Sequence, residues 1–342
     1  MIEVPRQMAS IKQILDLVPI LDANNIELAR IDGWQSVVKK GQFQIGEKIV
    51  FCEPDSLLPE KPDFEFMRPK KFRIKTCRLR GVISQGICFP TNILPEGQYN
   101  INDDVSEILG IVKYEPPVPI QLRGRVRCPI FRLAVPKTDE MRVQNIPDVL
   151  ERHKGKIFNV TEKLDGTSMS CYLDPESGLH VCSRNVDLAP ETNHKYNGDA
   201  YWRYANENNI EDILKTLGGT IALQGELFGE GIQGSKYKIK GLHYRVYNFW
   251  DMMNHCYIEH DVIVDTVEAF GLGKDFLVPQ LGQIELNHSV DDLLQMATGQ
   301  SVINNVLREG LVFRSIPERT DIKLGRLSFK AVSNEFLLKH GE

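Results

Sequence analysis

Along the first hundred residues apolar and polar positions alternate in short runs, ELARIDGWQSVV, EKIVFCEP and SQGICFP, each bounded by turn residues. Alternation with a period of two predicts half-buried strands, and the regular spacing of the runs predicts a small barrel or sandwich. One short helix, SIKQILDL, is expected ahead of them. KKGQFQIGEKIVF, with Gly41 and Gly46, reads as a turn delivering the chain into a strand, so an OB-like barrel is expected over residues 1–113.

The pattern then changes. YEPPVPI (Tyr114–Ile120) carries three prolines in four residues, which removes backbone donors and favours extended chain. A basic, Pro-rich linker is expected over 114–128, ending in QLRGRVR, with a second domain over 129–342. Beyond it FNVTEKL, SMSCYL and HVCSRN read as strands, AYWRYANENNIEDILKTL as a helical region, and TIALQGELF and YRVYNFWD as further strands. DVIVDTVEAFG reads as a helix, and EGLVFRS and RLSFKAVS as the last strands. This mixture predicts an α+β domain of antiparallel sheets with helices packed outside.

Composition narrows the class. The chain has 342 residues, comfortable for two domains, and 42% hydrophobic with 25% charged residues is ordinary for a folded globular protein. The longest apolar runs are too short to span a bilayer, and MIEVPRQMAS lacks a basic segment followed by an apolar one. An intracellular, cytoplasmic location without membrane contact is the expectation. Seven scattered cysteines with no CxxC pair argue against a disulfide framework or a zinc site. The net charge of -5 does not advertise a nucleic-acid binder, but PKKFRIKTCRLRG (Pro69–Gly81) and QLRGRVR concentrate positive charge in an otherwise acidic chain. Each is either a solvated face or a phosphate-binding patch.

The chemistry centres on VTEKLDGTSMS (Val160–Ser170), where Lys163 precedes Asp165 and Gly166. A lysine ammonium is no nucleophile until its surroundings release the proton. On a strand end, beside a glycine that lets a ligand approach, the amine is placed to attack phosphorus and form a lysyl-nucleotide. KxDG alone is weak, since it arises by chance in roughly one chain in ten of this length. The rest of the domain supplies matching parts. Glu226 and Glu309 flank or enter apolar strands, and with Asp165 they could hold hydrated Mg²⁺ or Mn²⁺ or bond a ribose hydroxyl. Lys330 could neutralise an α-phosphate, and Tyr247 or Phe249 could stack on a purine.

Taken in order, TEKLDGTS, VCSRN, LQGELFGEG, VYNFWD, EGLVFR and LSFKAVS resemble motifs I, Ia, III, IIIa, IV and V of the covalent nucleotidyltransferases, the polynucleotide ligases and mRNA capping enzymes. ASIKQILDLVPI, IELARIDGWQSVVKKGQF, EPDSLLPE, FRIKTCRLRGVISQG and KTDEMRVQN resemble, more narrowly, RNA ligase family 5, over essentially the whole chain. The resemblance implies an α+β nucleotidyltransferase with ATP-grasp-like antiparallel sheets and flanking helices, preceded by an all-β OB-fold domain. It implies ATP-dependent RNA ligation in three steps: adenylation of Lys163, transfer of AMP to an RNA 5′-phosphate, and attack by a 3′-OH. The partners implied are RNA ends, joined as nicks in a duplex, and the chain is expected to act as a monomer.

Carried over residue by residue, the resemblance makes Lys163 the nucleophile and Lys330 the contact to the α-phosphate. Arg142, Glu162 and Arg184 become nucleotide contacts alongside Glu226, Tyr247 and Phe249, while Asp165, Glu226 and Glu309 serve ribose or metal-bound water. Lys75, Arg78 and Arg80 would meet either the nucleic-acid backbone or the β and γ phosphates of ATP. The family's last motif usually offers K-x-K; here Ser328 stands at the first position, which leaves Lys323 or Arg326 as a second phosphate contact. Capping enzymes and DNA ligases place an OB domain after this motif, whereas 12 residues follow Lys330, which disfavours both. A catalytically silent nucleic-acid-binding protein and a guanylyltransferase are the alternatives.

Overall fold

The computed structural model describes residues 6–115, 126–128, 135–190 and 199–341. In the first stretch the alternating runs become β1 (Ala9–Gln13), β2 (Asp16–Pro19), β3 (Ile26–Ile31), β4 (Trp34–Lys39), β5 (Lys48–Cys52), β6 (Ser56–Leu57), β7 (Cys77–Leu79), β8 (Val82–Ser84), β9 (Ile87–Pro90) and β10 (Val112–Lys113), with one short helix, α1 (Ser106–Leu109). β5 pairs antiparallel with β1 and with β9, and β2, β3 and β4 form a meander beside them. It is buried on both faces: Ile49 and Phe51 meet Ile31 and Trp34, while Val50 and Cys52 meet Ile11 and Phe64.

The expected helix SIKQILDL is extended instead. Ala9–Gln13 pairs with Cys52–Lys48, and Ile11 and Ile14 are fully buried. An isolated helix of eight residues has too few internal hydrogen bonds to compete with a long-range ladder and two buried isoleucines.

The second part contains β11 (Val126–Cys128), β12 (Met141–Arg142), α2 (Pro147–Arg152), β13 (Ile157–Lys163), β14 (Thr167–Asp174), β15 (Gly178–Ser183), β16 (Asp187–Leu188), α3 (Ala200–Glu207), α4 (Ile210–Thr216), β17 (Ile221–Gly229), β18 (Leu242–Asp251), β19 (Cys256–Tyr257), α5 (His260–Ala269), β20 (Gln280–Glu285), α6 (Val290–Ala297), β21 (Gly310–Ile316), β22 (Thr320–Asp321), β23 (Gly325–Arg326), β24 (Ser328–Val332) and α7 (Asn334–His340). The strands build a seven-stranded sheet in the order β11-β16-β15-β14-β17-β18-β19 and a five-stranded sheet in the order β12-β24-β21-β13-β20. Among the described strand pairs only β12–β24 is parallel. The helical region expected over 200–217 is two helices, because Asn209 takes the left-handed conformation (φ 52°) between α3 and α4, which asparagine tolerates better than most residues.

Each sheet buries its outer face under helices. Met169, Leu223 and Val246 pack with Trp202, Leu214 and Ile263 of α3, α4 and α5. Phe158, Phe313 and Phe329 pack with Val149 of α2 and Leu293 of α6. Since neighbouring side chains on a strand point to opposite faces, the intervening residues are committed to the cleft between the sheets. On β13, β17, β21 and β24 those residues are Lys163, Glu226, Arg314 and Lys330.

One glycine fixes how closely β17 approaches the turn between β13 and β14. A Cβ on Gly166 would lie 2.4 Å from the Leu227 carbonyl oxygen and 2.9 Å from Phe228 Cβ. Its bare Cα therefore admits the neighbouring strand β17, not a ligand, and that contact brings Glu226 beside Lys163. The barrel docks by the same device: a Cβ on Gly33, in the β3–β4 turn, would lie 2.7 Å from Gln144 Cα.

The proline-rich tract beyond Glu115 and most of QLRGRVR lie outside the described residues. Of the six described cysteines, Cys52, Cys88, Cys171 and Cys182 are buried, and none forms a disulfide. Among the described residues no helix is long and apolar enough to cross a membrane. Gly166→Ala is expected to lower stability by about 1–3 kcal/mol, the usual cost of forcing a methyl into packed backbone. Thermal or urea unfolding checks this, and a cost below about 0.5 kcal/mol would contradict the close approach.

Candidate active site between two sheets

Lys163 ends β13 and enters the cleft, where its Nζ donates to Glu309 Oε2 at 2.7 Å. Glu309 immediately precedes β21, whose Gly310 pairs with Lys163. Two further carboxylates face the same ammonium. Asp165 follows on the turn into β14; its backbone N–H donates to the Tyr237 hydroxyl at 2.9 Å and its Oδ1 pairs with Lys236 at 3.1 Å. Glu226 reaches in from β17, opposite Ser168 of β14. Burial works against a charged Lys163, but Glu309, Glu226 and Asp165 outweigh it and its pKa is raised. For Glu226, burial raises the pKa to about 8; Lys163 opposes this, and Glu309 and Asp165 add to it. A cleft with this excess of negative charge is suited to a cation. Among the described residues no group of three or more His, Cys, Asp or Glu is packed closely enough to chelate one directly.

Further across the five-stranded sheet the same wall is cationic. Lys330 lies across β21 from this group, in register with Val312, and across the parallel pair from Arg142. Burial drives its pKa down to about 7; Asp139 resists, while Lys163, Arg142 and Arg6 add to the fall. Arg142 is 8% exposed, and one of its nitrogens donates to Asp55 of the barrel at 3.1 Å. Its Nε and Nη1 are buried without a hydrogen-bond partner. Such donors are costly unless an anion meets them, so this wall fits phosphate. Asp55 also takes Arg73 at 3.0 Å and lies 3.8 Å from Arg6. Its pKa falls to about 2 despite burial, because Arg142, Arg6 and Arg73 surround it. Trp34 Nε1 donates to Asn145 Oδ1 at 2.6 Å, and Asn145 donates to Glu53 at 3.0 Å, so the barrel and the sheets share one polar seam.

Arg184, after β15, pairs with Asp139, which also receives Lys113 at 3.3 Å. Desolvation opposes a charged Asp139, but Lys330, Arg184 and Lys113 hold its carboxyl below the usual range. Asp139 and Lys236 carry no signal in the sequence, because their partners come from distant segments. Asp139 nonetheless sits inside KTDEMRVQN, next to the β12 strand that carries Arg142.

Two expected nucleotide contacts do not reach the cleft. Phe249 is 2% exposed in the core behind the seven-stranded sheet, among Leu223 and Val267, and offers no face to a base. A bulge between Gln224 and Gly225 leaves Tyr247 as the extra residue of β18, and this re-aims it into the cleft. There its hydroxyl donates to Thr138 at 2.9 Å and lies 3.2 Å from Ser168 Oγ, and Arg314 sits 5.7 Å from the ring centre. Glu162, with the parity of Phe158 and Val160, points to the opposite face of β13 from Lys163. It accepts from the Val302 N–H at 3.0 Å, its other oxygen has no partner, and burial raises its pKa.

Both expected substitutes for the missing lysine at Ser328 are engaged by acidic partners. Lys323 donates to Asp148 at 2.7 Å, and Arg326 pairs with Glu318 and donates to Asn248 at 2.8 Å. Ser328 itself donates to Glu140. Lys75 donates to the Gly341 carbonyl, whereas Arg78 and Arg80 are exposed on the β7–β8 hairpin.

Comparison with known proteins agrees with this architecture. A family model described as RNA ligase matches residues 156–332, and one described as an OB-fold domain matches 8–91. Three structures of Naegleria gruberi RNA ligase are similar over nearly the whole chain. An apo aspartate-to-alanine mutant is 37% identical with a TM-score of 0.86, covering 98% of each chain. A lysine-to-alanine mutant with ATP and Mn is 37% identical with a TM-score of 0.86, covering 98% of this chain and 99% of that one. A form with PPi is 37% identical with a TM-score of 0.85 and the same coverage. No curated protein matches the chain.

The raised pKa of Glu226 has a sign that can be tested. The folded protein binds this proton up to about pH 8, an unfolded chain only to its ordinary 4.5, so ionisation weakens the fold as pH rises between those values. Glu226→Gln removes the effect. Its thermal midpoint relative to the native protein should climb between about pH 5 and pH 8; a difference that stays flat over that window would refute the burial assigned to Glu226.

Proposed function

The chain belongs to the RNA ligase family, and on that premise we propose that it uses ATP to seal nicks with RNA ends in three steps, with Lys163 as the nucleophile. The observation that carries this reading is the Lys163 ammonium, clasped by Glu309 at 2.7 Å, ringed by Asp165 and Glu226, and faced by Lys330.

In the first step the Lys163 amine attacks the α-phosphorus of ATP. The Nζ–P bond forms as the bond to pyrophosphate breaks, and the ammonium must first give up a proton. Glu309 already accepts that hydrogen bond and is the group placed to receive it. A divalent cation, Mg²⁺ or Mn²⁺, held through water by Asp165, Glu226 and Glu309 would offset the field that keeps Lys163 charged and neutralise the phosphates. Lys330 supplies positive charge to the α-phosphate, gaining a proton as the anion arrives, because its pKa of about 7 leaves it half neutral beforehand. The two unpartnered nitrogens of Arg142 take phosphate oxygens, Tyr247 lies against the base, and Glu226 can also bond a ribose hydroxyl. The relatives' complexes with ATP and Mn support the choice of nucleotide and metal.

In the second step a 5′-phosphate oxygen attacks the same phosphorus, Lys163 leaves, and a phosphoanhydride joins AMP to the RNA end. In the third the 3′-OH attacks the 5′-phosphorus, AMP departs, and the hydroxyl proton passes to solvent. Arg184, 37% exposed at the mouth and bound to Asp139, is placed to exchange that carboxylate for a 5′-phosphate. The protein acts as a monomer on this reading, since one chain supplies every group named.

Incubation with α-labelled ATP and Mg²⁺ or Mn²⁺ should transfer label to the protein, with GTP as the control nucleotide. Lys163→Met should abolish transfer, and Glu309→Ala should slow it at least 100-fold, the scale of losing a general base. Label retained by Lys163→Met would remove Lys163 from its role. Ligation of nicked duplexes carrying RNA or DNA separately on each side of the break then reads the substrate class.

A further inference from the structure

An open cleft of about 690 Å³ lies beside the reactive lysine, enclosed by residues 233–238, residues 300–307 and the end of α7. Lys236, Lys238, Lys339 and His340 line it together with the neutral Gln300 and Asn305, and its described lining contains no Asp or Glu. In a chain with 46 acidic and 41 basic residues, a wall that carries Lys238 and Lys339 beside the Asp165-paired Lys236 is a local excess of positive charge. Lys236 connects the cleft to the chemistry, since it pairs with Asp165 at 3.1 Å and sits 4.9 Å from the Phe336 ring centre of α7. Helix α7 in turn carries the OB barrel. Gln85 donates to Asn334 at 3.0 Å, and Lys75 donates to the Gly341 carbonyl, next to Lys339 and His340. The β7–β8 hairpin with Arg78 and Arg80 thus continues the same positive strip.

We propose that this cleft, extended by Arg78 and Arg80, holds the phosphodiester backbone of the nucleic-acid substrate beside the break. The inference rests on the ligase reading, because it is Asp165 of that site that the cleft adjoins. A triphosphate is the other source of the same chemistry, and three features favour the backbone. The buried cations that fit ATP, Lys330 and Arg142, lie on β24 and β12 in the five-stranded sheet, apart from this cleft. Lys238, Lys339, Arg78 and Arg80 are exposed and divided between two domains, as contacts to a continuous strand would be. Lysines are point charges that track phosphates without reading bases, which suits a ligase that must accept many sequences.

The test is the double variant Lys238→Ala with Lys339→Ala, both exposed and outside the nucleotide site. Binding of a nicked RNA duplex is measured by fluorescence anisotropy between about 50 and 200 mM salt, and label transfer from α-labelled ATP is measured in parallel. Loss of two phosphate contacts should lower the slope of log K against log salt by about 2 and weaken binding about tenfold or more, with labelling at the native rate. Unchanged affinity and slope would overturn the proposal. So would slowed labelling with unchanged duplex binding, which places the triphosphate in the cleft. Absence of label on the native protein would instead sink the ligase reading, and the salt slope would still decide what the cleft binds.

Discussion

The Lys163 ammonium lies among three carboxylates in the cleft between the sheets, with Lys236 as a second cation on Asp165, and the rest of the molecule is arranged around that cluster. Lys163, Asp165, Glu226 and Glu309 come from β13, the turn after it, β17 and the start of β21, so no single segment could hold the group. Buried charges of one sign are tolerated only when something opposite compensates them. Here the carboxylates hold Lys163 in its charged form, and one of them, Glu226, keeps a proton more readily than an ordinary carboxyl because it is buried beside the other two.

The barrel is more than an appended module, because its charges pair with those of the sheets. Asp55 draws Arg6, Arg73 and Arg142 together, and Lys113 reaches Asp139 from the barrel's last strand. Arg142 is thus pinned at one nitrogen and unsatisfied at two, a state in which an incoming anion gains most from it. Packing of Gly33 against Gln144 and the bond from Trp34 to Asn145 hold this seam in place, so nucleotide chemistry in the sheets depends on how the barrel docks.

Much of this was legible in the sequence, for a physical reason: strand alternation is a local property. The parity that buries Phe158 and Val160 exposes Lys163, and the same reading places Glu226 and Lys330. Applied strictly, parity also turns Glu162, a contact implied by the resemblance, to the other face of β13. Other features depend on long-range facts. A bulge that appears only when β17 pairs with β18 decides between Tyr247 and Phe249. SIKQILDL is a strand because β5 lies beside it, and Asp139 gains meaning only when Lys113, Arg184 and Lys330 converge on it. The glycine of KxDG was legible as a residue but not as a reason, since the strand it accommodates lies about sixty positions further along the chain.

That glycine has a consequence for the chain's history. Every other amino acid carries a Cβ, and at position 166 the space for one is held by the Leu227 carbonyl, an atom that no mutation can delete. No single replacement leads away from Gly166 without β17 moving first, and β17 carries Glu226. The position is therefore tightly constrained: a side chain placed there displaces the strand that pairs with β14 and carries Glu226, at the cost in stability expected for Gly166→Ala.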